Sequence, residues 1–391
     1  MQNIVREINK IQNEIVDLRR YFHSMPELGF KEFNTSNRIT KYLKSCGLIV
    51  KTNVGKTGVV GLLEGNKKGK TIGLRADIDA LPIKENTQLD FSSNNEGVMH
   101  ACGHDSHIAI GLGIAKVLSQ ERHNINGNVK FIFQPAEEIL LGARAMLNEK
   151  VLDEPKVDAI IGFHNWPDLR SGQIGIKGGP VTAAVDKFKI NINGKGGHGA
   201  LPHKSADPII MTSEIIIAFQ KIISREIDPL EAAVISIGRL NTGSTYNVIP
   251  DQVKMCGNIR THDEKIRSFI LNRVEEVVDY ITKGNKGSYD LKYTDYIPAI
   301  FNNIDLTEKA EEKLKTIFGE EIVKLDKPSM VSEDFSLFSE QIPGLYLFLG
   351  TRNEQKSLIK SLHNSEYSID EDMLCTGVRA ISDIIIDYLN N

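Results

Sequence analysis

The chain has 391 residues, more than one hydrophobic core usually organises, and this length predicts two domains. Hydrophobic residues make up 41% and charged residues 25%, and the net charge of −4 excludes the basic field that attracts nucleic acid or anionic lipid. The four dispersed cysteines do not form a disulfide framework, so we expect a reduced, cytoplasmic protein. The N-terminus lacks an apolar signal core and no apolar run approaches about 20 residues, so we expect no membrane partner.

Helices and short strands alternate through the first part of the chain. Apolar residues spaced three or four apart between Ile4 and Leu18 predict an opening amphipathic helix, and a similar stripe predicts a helix over 108–118. Short apolar runs broken by glycine predict strands at Val59–Leu63, Ile72–Leu74, Val129–Phe133 and Val157–Phe163. This alternation is typical of an α/β fold with a largely parallel or mixed sheet.

The pattern changes near residue 183 and returns near residue 294. Between these points the sequence predicts a strand, a glycine-rich loop, a helix that begins at Asp207-Pro208, two more strands, a helix and a final strand. A segment of about 110 residues is long enough for an independent two-layer domain. We therefore predict a discontinuous domain of residues 1–182 and 294–391, into which an α+β domain of residues 183–293 is inserted.

Cys102 and His104 place a thiolate and an imidazole two residues apart. Residues at positions i and i+2 do not share a helix face, but in an extended or turning segment they can converge on one point. Such a loop can form half of a metal site, because zinc and similar ions bind both donors. Either residue alone is also common in a hydrophobic core, so this interpretation depends on donors elsewhere in the chain.

Other polar groups follow the predicted strands of the first domain. Asp77 comes after the second of these strands, Glu137 and Glu138 after the third, His164 after the fourth, and His363 after a later strand. The carboxyl ends of strands in an open α/β sheet form one rim, so we expect these side chains to converge there. Metal-assisted hydrolysis needs an ion that acidifies water and a carboxylate that accepts its proton. Taken singly, a Glu-Glu pair is typical of a solvated surface, and a lone histidine is typical of a satisfied core.

At these residues the chain resembles the aminoacylase branch of the co-catalytic metallopeptidases. That branch includes hippurate hydrolases, N-acyl-amino-acid deacetylases and plant auxin-conjugate amidohydrolases. The segments that carry the resemblance are Arg75–Pro82, Met99–Asp105, Phe133–Glu138, Gly196–His198 and Pro202-His203. They occur in order along almost the entire chain, and matches near the start include Arg20 and Glu27.

The resemblance implies a catalytic domain with a mixed sheet between helices, an inserted lid that mediates dimerisation, and therefore a homodimer. It also implies two divalent metal ions per subunit, expected to be manganese or zinc, although cobalt and nickel suit the same donors. The implied metal ligands are Cys102, His104, Glu138, His164 and His363. Glu137 is implied as the general base and then the general acid, with Asp77 and Asp105 as carboxylates that orient the ligands.

Three further roles in the predicted lid come from the resemblance. His198 is similar to a histidine that reaches the active site of a partner subunit and steadies the oxyanion. Asn247 and Arg260 are similar to residues that bind the substrate carboxylate or the scissile carbonyl. From the residues alone, the His198 segment is more typical of a flexible turn, the loop that contains Asn247 is equally consistent with a hairpin, and Arg260 is more typical of a surface ion pair. One departure concerns the pocket shape, because Ile139–Leu141 replaces the glycine run that usually follows the two glutamates.

The residues predict metal-assisted hydrolysis, and the resemblance implies a metal-dependent amidohydrolase that cleaves the amide bond of small N-acyl-amino acids of the N-acetyl or N-benzoyl type. Two alternatives use the same machinery, a dipeptidase or carboxypeptidase and a deacetylase dedicated to N-acetyl-diaminopimelate. A third alternative is a non-catalytic binding protein on the same fold, which the presence of Glu137 and of every implied ligand disfavours.

Overall fold

The computed structural model describes residues 2–390, which fold into two compact units. The larger unit contains residues up to 181, residues 300–327 and residues from 333 onward. The smaller unit contains residues 182–299 and 328–332. Within the described range, no helix combines the length and the apolar character needed to cross a membrane.

The elements are numbered in chain order. The helices are α1 (Gln2–Ser24), α2 (Phe33–Ser45), α3 (His104–Gln120), α4 (Gly142–Asn148), α5 (Pro208–Lys221), α6 (Glu264–Gly284), α7 (Ile304–Phe318), α8 (Ser336–Ser339) and α9 (Asp372–Asn390). The strands are β1 (Ile49–Val54), β2 (Gly58–Glu64), β3 (Lys67–Asp77), β4 (Asn126–Gln134), β5 (Ala159–Arg170), β6 (Ile174–Ile176), β7 (Gly179–Pro180), β8 (Ala184–Asn193), β9 (Gly197–His198), β10 (Ala233–Asn241), β11 (Val248–Ile249), β12 (Gln252–Thr261), β13 (Ser288–Ile297), β14 (Phe301–Asn302), β15 (Ile322–Lys324) and β16 (Gly344–Arg352).

An eight-stranded mixed sheet forms the centre of the larger unit. Its strand order is β1-β2-β4-β3-β5-β16-β6-β15. The central strands β4, β3, β5 and β16 run parallel to one another, whereas β1 and β2 pair antiparallel and β2 is antiparallel to β4. The predicted α/β class with a mixed sheet is confirmed.

Both faces of this sheet are buried. Alternate residues of a strand point to opposite faces, so one strand contributes side chains to two cores. On β4, Val129, Phe131 and Phe133 belong to a core shared with α1, α3 and α9, whereas Ile132 belongs to a second core shared with α4 and α8. The predicted opening helix is present as α1, and its apolar stripe is buried at Ile4, Ile8, Ile11, Ile15 and Leu18. The sheet therefore lies between two layers of helices.

The smaller unit is a four-stranded antiparallel sheet, in the order β10-β12-β8-β13, that packs against α5 and α6. Alternate residues of β8, namely Phe188, Ile190 and Ile192, enter the core of this unit. The predicted start of α5 is present, since the Asp207 side chain accepts a hydrogen bond from the backbone N–H of Ile209 at 2.8 Å.

The C-terminal limit of the smaller unit differs from the predicted boundary at residue 293. Strand β13 pairs with β8 from Ser288 to Ile297, so residue 293 lies inside a strand and the unit continues to residue 299. Residues 328–332 also belong to this unit, in which the backbone N–H of Ala183 donates to the carbonyl oxygen of Val331 at 2.9 Å. A sequence pattern does not reveal a short segment that joins a unit from a distant part of the chain.

Candidate metal centre

The candidate site lies where the central parallel strands of the larger unit end. The chain passes from β3 to β4 on one side of β3 and then to β5 on the other side, an arrangement that opens a crevice at the carboxyl ends of the strands. Pairing between β3 and β5 stops at Leu74 and Ile161, although β3 continues to Asp77 and β5 continues past His164. The sequence predicted that His164 follows this strand. In the structure His164 lies inside β5.

The Cys102–His104 loop depends on a glycine. Gly103 has a φ of 79°, in the left-handed region, and His104 is the first residue of α3. A Cβ atom at position 103 would lie 2.1 Å from Nδ2 of Asn165. That amide donates to the carbonyl oxygens of Cys102 and Gly103 at 3.1 and 3.0 Å, and thereby fixes the loop from β5.

The five predicted donors lie together in the larger unit. Sγ of Cys102 is 3.4 Å from Nε2 of His164, and Nε2 of His363 is 3.5 Å from Oε2 of Glu138. Donor atoms of Cys102, His104 and His164 all lie within 4.8 Å of one another, and so do those of Cys102, Glu138 and His363. The two triads share the sulfur, which makes Cys102 the common corner of two adjacent positions for a cation.

Hydrogen bonds aim two histidines at this cluster. Nδ1 of His104 donates to the carbonyl oxygen of Asp79 at 2.9 Å, and Nδ1 of His164 donates to that of Asn165 at 2.6 Å. Each ring therefore presents Nε2 to the other donors as the atom free to bind a metal. Nε2 of His104 is buried and has no hydrogen-bond partner among the described residues, as expected of a metal ligand.

The electrostatics of the cluster also suit a cation. Burial and the negative charges of Glu138, Glu137 and Asp77 raise the pKa of the Cys102 thiol well above its usual range. Burial raises the pKa of Glu138 to about 7, although His104 opposes the shift. Divalent ions would offset this accumulated negative charge and favour the deprotonated donors. The residues present therefore fit two divalent metal ions.

Asp77 contacts the donor cluster directly and through His107, a residue that the sequence analysis missed. Nδ1 of His107 hydrogen-bonds to Oδ1 of Asp77, and Nε2 of His107 accepts from the backbone N–H of Asn165 at 3.0 Å. Oδ2 of Asp77 lies 3.5 Å from Nε2 of His104. The signal for His107 was its spacing of three residues from His104, which places both rings on one face of α3, with ring centroids 5.3 Å apart.

A fully buried arginine neutralises the acidic groups behind the donors. Arg75 donates to Asp77 at 2.7 Å, to Glu333 at 2.7 Å and to Asp334 at 3.1 Å. Burial opposes ionisation of Asp77, but the charges of Arg75 and the nearby histidines outweigh it and hold the pKa of Asp77 well below its usual range. Donor atoms of Asp77, Glu137 and Glu333 lie within 4.8 Å of one another. Glu137 therefore lies among acidic groups whose negative charge is partly neutralised by Arg75.

The contacts of Asp105 differ from those expected of a carboxylate that orients a metal ligand. Its Oδ2 accepts from Nε of Arg19 at 2.8 Å and lies 2.8 Å from Nδ1 of His23, and both partners belong to α1. Consecutive helical residues point about 100° apart, so α3 turns Asp105 towards α1 while it turns His104 towards the donors. Asp77 contacts His104 and His107, whereas Asp105 links two helices.

The three predicted lid residues lie in the smaller unit. His198 in β9 pairs with Val248 in β11, and the carbonyl oxygen of Asn247, the residue before β11, accepts from the backbone N–H of Gly199 at 2.9 Å, so Asn247 lies beside the end of β9. Both side chains are exposed. Arg260 is half-buried in β12, where its Nη1 donates to the carbonyl oxygen of Met330 at 2.7 Å and burial lowers its pKa.

Comparison with known proteins identifies the family. Residues 73–387 match peptidase family M20/M25/M40, and the chain belongs to this family. It is 39% identical to thermostable carboxypeptidase 1 of Saccharolobus solfataricus over 394 residues, which covers 100% of this chain and 99% of the relative. It is also 39% identical to an N-acetylcysteine deacetylase of Bacillus subtilis, over 96% of this chain and 97% of that protein.

A solved structure of a dinuclear metal-binding peptidase of the M20 family from Bacillus subtilis has the same fold. The TM-score is 0.86 at 36% sequence identity, and the superposition covers 98% of this chain and 99% of the other. The resemblance recognised in the motifs is thereby confirmed. The chain is a metal-dependent hydrolase of amide bonds.

Proposed function

We propose that this protein hydrolyses the amide bond of small N-acyl-amino acids, with Glu137 as the catalytic acid–base residue. The observation that carries the proposal is the position of Glu137, a buried carboxylate that directly precedes the donor Glu138. Its Oε2 lies 3.9 Å from Nε2 of His104, at the edge of the donor cluster. Burial and the charges of Glu333 and Glu138 raise the pKa of Glu137 well above its usual range, which favours the uptake of a proton.

The reaction follows from this arrangement. Cys102, His104, Glu138, His164 and His363 would hold two divalent ions, which when bound supply a lowered pKa for water and polarisation of the amide carbonyl. Glu137 takes a proton from the attacking water as the water oxygen adds to the carbonyl carbon. It then delivers that proton to the amide nitrogen as the C–N bond breaks. The products are a carboxylic acid and a free amino acid.

The donor set also bears on the metal. One thiolate among imidazole and carboxylate donors suits borderline divalent ions. We propose manganese or zinc as the native metal, with cobalt and nickel as substitutes. The thiolate must stay reduced to bind a metal, and all four cysteines are free thiols. A reducing compartment, the cytoplasm, is therefore the proposed location.

Residues of the smaller unit are proposed to complete the site in a homodimer. Strand β10 is an edge strand, and Val234 and Leu240 on it are 37% and 48% exposed. An edge with exposed apolar side chains is suited to pairing with a second copy of the chain. We propose that His198 of one subunit stabilises the oxyanion in the other, and that Asn247 and Arg260 bind the substrate carboxylate or carbonyl.

The relatives support two substrate classes, N-acyl-amino acids and peptides with a free C-terminus. The deacetylase favours the first and the carboxypeptidase favours the second. A panel of N-acetyl-, N-benzoyl- and dipeptide substrates, with N-acetyl-diaminopimelate included, distinguishes them. We expect the highest kcat/KM on an N-acetyl- or N-benzoyl-amino acid. A higher kcat/KM on dipeptides would assign the protein as a peptidase, and preference for N-acetyl-diaminopimelate would make it a dedicated deacetylase.

The role of Glu137 is tested by Glu137→Gln, which keeps the shape of the side chain but cannot accept the proton. We expect turnover to fall about 10²- to 10⁴-fold. The metal content, measured by elemental analysis, should stay at the parent value. Near-normal turnover with full metal content would contradict the assignment, and so would the absence of hydrolysis by the metal-loaded parent.

A further inference from the structure

The turn that carries Glu137 has a backbone conformation that its own sequence does not favour. The turn follows β4 and consists of residues 135–138. Ala136, the residue before Glu137, has a φ of 53° in the left-handed region, which L-amino acids with a Cβ atom rarely adopt. Such a conformation persists only when contacts from outside the turn hold it.

Two buried carboxylates supply those contacts through three successive backbone N–H groups. Oδ1 of Asp79 accepts from the N–H of Glu137 at 3.1 Å, and its Oδ2 accepts from that of Glu138 at 3.0 Å. Oε1 of Glu32 accepts from the N–H of Ala136 at 2.9 Å. The strained residue is therefore held by a side chain that is more than 100 positions away in the chain and lies outside the donor cluster.

Glu32 does not perform the task that its position in the chain would suggest. It occupies the N-cap of α2, yet its side chain makes no capping hydrogen bond. Glu27 does so instead, and accepts from the backbone N–H groups of Asn34 and Thr35 at 3.2 and 2.9 Å. The second oxygen of Glu32 accepts from Oγ1 of Thr57 at 2.5 Å, so both oxygens are engaged and the residue is fully buried.

We propose that Glu32 is a positioning residue for catalysis, which fixes Ala136 and through it the carboxylate of Glu137. The inference rests on the proposed function, because it assumes that Glu137 transfers the proton. Without the oxygen of Glu32, the N–H of Ala136 loses its acceptor and the turn relaxes towards the right-handed conformation. The carboxylate of Glu137 is then displaced relative to the reacting atoms, and a displacement of about 1 Å can cost about 100-fold in rate.

The primary test compares Glu32→Met with Glu27→Gln. Glu32→Met keeps the length of the side chain but removes the acceptor, and we expect kcat to fall about 10- to 100-fold, with KM and metal content unchanged. Glu27→Gln changes a carboxylate of the same loop that caps α2 and does not touch the turn. It should lower the melting temperature without changing kcat. Equal kcat values for parent and Glu32→Met would overturn the proposal.

Two further variants separate positioning from a general loss of structure. Glu32→Gln keeps an oxygen that can accept from Ala136, so it should retain most of kcat. Ala136→Gly, made in the Glu32→Met background, removes the penalty for the left-handed φ and should restore part of kcat. Loss of kcat in Glu32→Gln equal to that in Glu32→Met, with no gain from Ala136→Gly, would assign Glu32 a structural role only.

The design stays informative if Glu32→Met does not fold. Thr57→Val removes the hydroxyl that holds the second oxygen of Glu32 and leaves the acceptor in place. We expect a loss of kcat of about threefold to tenfold, with the metal content retained. If the proposed function is wrong, the kcat of Glu137→Gln will equal that of the parent. If only this inference is wrong, Glu137→Gln will be inactive while the Glu32 and Thr57 variants keep the parental kcat.

Discussion

At the scale of single residues, left-handed backbone conformations flank the donors. Gly103 lies between Cys102 and His104 with a φ of 79°, and the donor His363 has a φ of 63°. A backbone with positive φ turns sharply within one residue, which lets successive side chains converge on a point. The strained conformation of His363 is held by its backbone N–H, which donates to the carbonyl oxygen of Ala101 at 2.8 Å.

Substitution of Gly103 by alanine should weaken metal binding. A Cβ atom there meets Nδ2 of Asn165 at 2.1 Å, and alanine does not readily adopt the φ of 79°. We expect Gly103→Ala to lose at least one of the two ions, measured by elemental analysis after dialysis, and to lose activity with it. The matched control is Gly97→Ala, where φ is 77° but no atom lies within 4 Å of the added Cβ. It should cost only about 1 kcal/mol of stability and keep both ions.

Gly103→Ala with full metal content would show that the loop relaxes without consequence for the donors. If Gly97→Ala lost as much metal as Gly103→Ala, the loss would be due to the strained φ of alanine and not to the contact with Asn165.

At the scale of elements, helix α1 connects the site to the long loop that follows β3. His23 on α1 lies 2.8 Å from Asp105 on α3 and 3.1 Å from Glu85 on the loop. Burial disfavours the charged form of His23, but the charge of Asp105 and the hydrogen bonds to Asp105 and Glu85 together outweigh it and raise the pKa of His23. His23 therefore joins α3 to the loop through two carboxylates.

Glu85 makes stability depend on pH in the acid range. Burial alone would raise the pKa of Glu85, but hydrogen bonds from His23 and Thr87 outweigh it and lower the pKa from 4.5 to about 2. A carboxylate whose pKa is lowered by folding stabilises the protein above its unfolded pKa and loses that contribution as pH falls. Glu85→Gln should lower the melting temperature by a few degrees at pH 7, and the difference from the parent should narrow between pH 4.5 and pH 2.

The control for this experiment is Glu96→Gln, which removes an exposed carboxylate from the same loop. Its melting temperature should follow that of the parent across the whole range. A difference between Glu85→Gln and the parent that stays constant with pH would mean that the ionised form of Glu85 has no special stability in the folded protein.

At the scale of the whole molecule, the proposed chemistry needs residues of both units. The donors and Glu137 belong to the larger unit, and His198 belongs to the smaller unit. The proposal that His198 acts in the partner subunit predicts complementation between two inactive variants. Glu137→Gln and His198→Ala homodimers should each be inactive or strongly impaired. After subunit exchange, about half of the dimers are mixed and each contains one intact site, so about a quarter of the parental activity should return.

Activity of the mixture, measured with differently tagged subunits, decides between the two placements of His198. If His198 served the site of its own subunit, every site in a mixed dimer would lack one residue, and no activity would return. Static light scattering on the parent provides the control, since a monomeric mass would exclude complementation between subunits.

The sequence by itself determined the class of fold and most of the candidate site. The spacing of Cys102 and His104, the adjacent Glu137 and Glu138, and the periodicity of strands and helices are local properties that a chain carries before it folds. Strand ends in an α/β sheet share one rim, so the convergence of donors followed from the pattern. The five predicted donors lie together in the structure, although His164 lies inside β5 and His104 begins α3.

Only the tertiary structure decided which groups support these donors. Asn165 contacts Gly103 across 62 positions of sequence and Glu32 contacts Ala136 across 104, and no local pattern specifies such partners. Asp105 follows His104 directly in the chain, yet the rotation of α3 points it to α1. Covalent spacing thus encodes the residues proposed to perform the chemistry, whereas packing of distant segments selects those that contact and hold them.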